Sequence, residues 1–62
     1  MLSKNIKKVR IKMKLSQEEL AKKAKITYST LIKIESGSND NPTIKTLQKI
    51  AKILNVKIDE LI

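Results

Sequence analysis

The sequence predicts an all-α fold, a compact bundle of short helices forming one domain over residues 1–62. Two observations predict it. Apolar residues recur at three- and four-residue spacing in four separate stretches: Ile6 to Met13, Leu20 to Ala24, Leu31 to Ile34, and Ile44 to Leu54. Each stretch follows a residue that caps helices well, namely Ser3, Ser16, Thr27 and Thr43.

The first helix is expected over residues 3–14, capped by Ser3. Ile6, Val9 and Met13 share one face, and Lys4, Lys7, Lys8, Lys12 and Lys14 take the rest. Such a helix could lie on a membrane surface, but it lacks the Trp or Phe of that role. Its narrow apolar stripe suits the core. The second helix starts at Ser16, and Glu19 three residues on completes a capping box. Its apolar face is Leu20, Ala21 and Ala24, and its periodicity stops at Lys25. Thr27 caps the third helix, Leu31 and Ile34 face inward, and Gly37 supplies a left-handed stop. Ile32 should point partly outward, covered by Tyr28 one turn earlier. Residues 38–42, Ser-Asn-Asp-Asn-Pro, form a polar loop. Pro42 and Thr43 open the fourth helix, which presents Ile44, Leu47, Ile50, Ala51 and Leu54 on one wide apolar face. Lys45, Lys49 and Lys52 lie opposite, and Asn55 ends the helix.

The stretch from Ser16 to Gly37 is thus two short helices around a tight turn, the pattern of a helix-turn-helix. Ser16-Gln17-Glu18-Glu19-Leu20-Ala21, the Ile26-Thr27 turn exit, Ile34-Glu35-Ser36-Gly37 and Pro42-Thr43 together resemble the phage repressor and Cro-type (Xre-like) helix-turn-helix family. Each piece is weak alone. In this order and at this spacing they are specific, and the resemblance runs from about Ile6 to Leu61. It implies a lambda repressor-like bundle of five short helices, the fifth falling within Val56 to Ile62. It also implies glycine in the turn where this chain has Lys25. A side chain in that left-handed conformation costs on the order of 1 kcal/mol.

Composition bears on function. Fourteen basic and six acidic residues give a net charge of +8, which points to a polyanionic partner. Tyr28 is the only aromatic residue, whereas modules for single strands or RNA stack bases on several. Duplex DNA is the better match. There is no cysteine or histidine, so disulfides and the usual zinc sites are excluded. No apolar run approaches the ~20 residues that span a bilayer, and a soluble, cytoplasmic protein is expected. An enzyme is not. The Glu18–Glu19 and Asp59–Glu60 pairs are sequence neighbours that do not face each other, and a chain with one glycine has no glycine-rich phosphate loop. No cofactor, metal or small-molecule ligand is indicated.

The resemblance implies sequence-specific binding of double-stranded DNA by a transcriptional regulator, most simply a repressor. The third helix would enter the major groove with its first turn nearest the bases. Tyr28, Ser29 and Lys33 would then read base edges, joined by Gln17 at the start of the second helix. Arg10, Ser16, Thr27, Thr30, Asn39 and Asn41 would contact the DNA backbone, while Asp40 would be repelled by it. Arg10 and Glu35 match positions where similar proteins carry an ion pair. Val56, Ile58, Leu61 and Ile62 are candidates for a homodimer contact formed on DNA. A second function class stays open: a small protein-interaction module, such as an antitoxin-like regulator, with an acidic partner protein.

Overall fold

The computed structural model describes all 62 residues. The chain folds into five helices: α1 (Leu2–Lys12), α2 (Gln17–Ala24), α3 (Tyr28–Ser36), α4 (Ile44–Leu54) and α5 (Ile58–Leu61). α3 packs on α1 and α2, α4 packs on α2, and α5 closes against α1 and α4. Every helix therefore contributes to one core. Ile6, Leu20, Leu31, Ile34, Ile50, Leu54 and Leu61 are its fully buried large side chains, with Ala21, Ala24 and Ala51 where helices approach closely. Asn5 Nδ2 donates to the Leu61 carbonyl at 3.0 Å, tying α1 to the far end of the chain.

The caps form as the sequence predicts at three of four helix starts. Ser16 Oγ accepts from Glu19 N at 3.0 Å while Glu19 Oε1 accepts from Ser16 N at 2.9 Å. Thr27 Oγ1 accepts from Thr30 N, and Thr43 Oγ1 from Thr46 N. Ser3 is the exception. α1 begins two residues earlier than expected, with Met1 at the cap position and no side-chain bond, so Ser3 lies inside the first turn. Two apolar assignments also change. Met13 ends α1 and is 42% exposed, and Ile44 is 62% exposed. Both sit at a helix end, beyond the reach of the inward-facing stripe.

Three helices end in the same way. Leu15 N donates to Arg10 O at 3.1 Å and Lys14 N to Ile11 O at 2.9 Å. Ile26 N donates to Ala21 O at 3.0 Å and Lys25 N to Lys22 O at 3.2 Å. Val56 N donates to Ala51 O at 3.1 Å and Asn55 N to Lys52 O at 3.3 Å. This is the Schellman pattern, and it requires a left-handed residue at its centre. Lys14, Lys25 and Asn55 fill that place with φ of 59°, 57° and 57°. The residue after each is apolar, and Leu15, Ile26 and Val56 all pack on the core. Fully burying such a side chain is worth about 1.5–3 kcal/mol, and these three are half-buried, which leaves roughly 1–1.5 kcal/mol each. That offsets the ~1 kcal/mol of left-handed strain, so a lysine is tolerated where glycine would be relaxed.

Lys25→Gly should therefore stabilise the chain by a few tenths to about 1 kcal/mol, since it removes the strain and leaves Ile26 anchored. Urea unfolding of the two proteins measures it, and a clear loss would mean that the Lys25 side chain itself supports the turn.

Candidate DNA interface

The centre of the site is a buried ion pair. Arg10 Nε donates to Glu35 Oε2 at 2.8 Å and Nη2 donates to Glu35 Oε1 at 3.1 Å, a two-pronged contact between α1 and α3. Arg10 Nη1 donates to the Leu15 carbonyl at 2.7 Å. The two side chains are only 10% and 2% exposed. Glu35 accepts a third bond, from Gln17 Nε2 at 3.2 Å. The carboxylate thus links α1, α2 and α3, and every buried polar side-chain atom in the chain has a partner. The pair implied by the resemblance forms. Each of the three Arg10 nitrogens donates inside the protein, so for the backbone contact expected of it the side chain keeps one hydrogen on Nη1 and one on Nη2, and it is 10% exposed.

Gln17 is half-buried at the first position of α2, with one amide hydrogen given to Glu35. Its oxygen and second hydrogen stay free for a ligand. Around it the field is mixed. The α2 N-terminus suits an anion, but Glu18 and Glu19 lie in its first turn. α3 carries no acidic residue in its first turn. Its N-terminus is the more favourable of the two for a phosphate.

The exposed face of α3 is the part best placed to meet a partner. Tyr28 is 48% exposed. Ser29 and Lys33 are exposed one turn apart on the same side. Arg10–Glu35 is the only ion pair in the chain, so Lys33 carries an uncompensated charge. Thr27 and Thr30 are more committed. Thr27 Oγ1 caps the helix and also lies 2.6 Å from Thr30 Oγ1. In the loop after α3, Asn39 Oδ1 accepts from Asn41 N at 3.1 Å, which leaves the Asn39 amide hydrogens and the exposed Asn41 side chain available. Ile32 is half-buried, as its spacing predicted. The Gln17–Glu35 bond and the Leu15 carbonyl acceptor were not visible in the sequence, since no spacing rule relates positions on different helices.

A family model described as helix-turn-helix matches residues 6–61. The chain belongs to that family. It is 39% identical over 56 residues to an HTH-type transcriptional regulator of Archaeoglobus fulgidus, a match spanning 90% of this chain and 78% of the relative. It is 47% identical over 47 residues to an HTH-type transcriptional regulator of Methanocaldococcus jannaschii, spanning 76% of this chain and 70% of the relative. Among solved structures it superposes on SinR, a master regulator for biofilm formation, in a complex with DNA. The TM-score is 0.95 at 36% identity, covering 98% of this chain and 97% of that one. The helix-turn-helix reading of Ser16 to Gly37 and the five-helix architecture are thereby borne out. No helix is long and apolar enough to cross a membrane.

Glu35→Ala leaves the Arg10 guanidinium buried without its counter-charge and should cost about 3–5 kcal/mol. Replacing both Arg10 and Glu35 by Met should recover most of that loss in a urea melt. A single variant as stable as the double one would show that the pair contributes nothing. The α2 cap makes stability depend on pH. Hydrogen bonds from the Ser16 N–H and hydroxyl hold the Glu19 carboxyl below its ordinary range, helped by Lys23. With the folded pKa depressed, the capping box stabilises above the usual glutamate pKa and is lost as pH falls through the lower folded value. Glu19→Gln should flatten that part of the stability–pH curve.

Proposed function

We propose that this chain is a transcriptional regulator, acting as a repressor in the cytoplasm, that binds a specific sequence of duplex DNA through α3. The observation that carries the reading is the exposed first turn of α3. Tyr28 and Ser29 project from it with no acidic neighbour in that turn, and Lys33 extends the same face one turn on, on a helix fixed from behind by Arg10–Glu35. The likeness to a protein solved on DNA supports the same reading over a protein-only module. It involves no catalysis.

On this reading Tyr28, Ser29 and Lys33 meet base edges in the major groove, with Lys33 aimed at guanine O6 or N7. Gln17 uses its free amide hydrogen at the groove edge. Ser16, Thr27 and Thr30 lie along the backbone, with Asn39 and Asn41 at the far side of α3. The +8 charge supplies the sequence-independent attraction.

A single domain of this size reads few base pairs, so two copies on adjacent half-sites fit the need for specificity. The proposed contact is narrower than the four apolar residues near the chain end. Leu61 is fully buried in the monomer core and not available to a second copy. Val56 and Ile58 are half-buried against that core, and Ile62 is 66% exposed. So small a surface favours pairing on DNA over pairing in free solution. A selected consensus should show two-fold symmetry, and a non-symmetric one bound by a single copy would remove the dimer.

Selection from random duplex DNA identifies the site. On that site log K should fall by roughly 0.9 per phosphate contact for each unit of log salt. Lys33→Ala should cost about 1–3 kcal/mol on the best sequence and relax the preference at one position. Lys49→Ala on α4 is the comparison and should not change preference. If Lys33→Ala weakens every single-base variant by the same factor, Lys33 contacts phosphate and base reading rests on Tyr28 and Ser29.

A further inference from the structure

Four recesses mark the surface, and three of them are lined by a carboxylate: Glu18, Glu60 and Asp40 respectively. The fourth is different. Met13, Leu15 and Ile53 form its apolar wall, Lys23 and Lys52 its rim, and no acidic residue lines it. Its residues come from the end of α1, the α1–α2 connection, the last turns of α2 and α4, and none from α3. We propose that this recess docks an acidic, amphipathic segment of a partner protein, apolar side chains inward and carboxylates on the two lysines. The inference is independent of how α3 reads DNA.

Charge selects the occupant. Arg10–Glu35 is the only ion pair, so neither Lys23 nor Lys52 is in direct contact with a carboxylate, although Glu60 shares a neighbouring recess with Lys52 and Glu19 feels the charge of Lys23. Glu19, one turn before Lys23, is committed to the Ser16 cap. A second copy of this chain is a poor fit, because its own lysines would face these across the contact and each copy carries +8. Duplex DNA could use the lysines, but its phosphates gain nothing from Met13, Leu15 and Ile53. A lipid surface favours a protruding apolar face with Trp or Phe, and this site is concave. An acidic segment with one apolar face satisfies both halves, in the manner of a helix laid in a groove. Met13, unbranched and 42% exposed, is suited to adapt to such a partner.

The test uses the isotope-labelled full chain without DNA. The probe is an acidic peptide of about three helical turns, with leucines on one face and glutamates on the other. A control peptide carries serine in place of leucine. The expected result is a saturable shift of the Met13, Leu15 and Ile53 methyl signals by the leucine peptide and little by the control. The Lys23→Glu, Lys52→Glu double variant, checked for helicity by circular dichroism, should bind it at least about tenfold more weakly. Equal binding of the serine peptide would overturn the proposal, since charge alone would then suffice. So would shifts centred on Tyr28, Ser29 and Lys33, or an absence of shifts at millimolar peptide. Phosphatidylglycerol vesicles that perturb the same methyls more strongly than the peptide would assign the recess to lipid instead.

Discussion

The Glu35 carboxylate is the constraint on which the interface depends. It lies on α3, accepts two bonds from Arg10 on α1 and one from Gln17 on α2, and is almost wholly buried. A buried charge of this kind does little for net stability against an apolar alternative. Its effect is geometric. A two-pronged arginine contact fixes both distance and orientation, so α3 is held against α1 at one rotation. That rotation decides which side chains of α3 face outward. The Gln17 bond extends the constraint to the N-terminus of α2.

The helix ends show a second trade between local strain and burial. Lys14, Lys25 and Asn55 adopt backbone conformations that suit glycine, because Leu15, Ile26 and Val56 must reach the core at the next position. The turn between α2 and α3 is therefore set by Ile26 more than by Lys25. This matters for the interface, since that turn orients one helix against the other. Gly37 ends α3 differently. It has φ of 86°, and the following Asn39 N donates back to Lys33 O at 2.9 Å.

Charge is distributed unevenly over this frame. α1 exposes Lys4, Lys7, Lys8 and Lys12, and three of the six acidic residues are spent on structure. Glu19 and Glu60 accept from cap backbone groups, and Glu35 serves the buried pair. The positive field is thus broad and non-specific, suited to drawing in a polyanion. On the proposed reading, selectivity comes from the few uncommitted side chains on α3.

Ser16, Thr27, Thr43 and Gly37 were legible in the sequence because caps and stops act on neighbours within four residues. The inward stripes of α2, α3 and most of α4 were legible for the same reason, as helical spacing alone puts them on one face. The short-range rules failed at the margins: Met1 rather than Ser3 begins α1, and Met13 and Ile44 fall outside the stripes they extend. The Arg10–Glu35 pair was reached only through the resemblance to a known family. The Gln17–Glu35 bond, the Asn5–Leu61 tie and the burial of Leu61 joined residues between 18 and 56 positions apart, or set a terminal residue inside the core. By itself the sequence determined the helices and the sign of the surface charge, since both depend on residue type and local spacing. Which charges are buried, and which apolar residues are left for a partner, was decided only when five helices shared one core, because burial is a property of the packed whole.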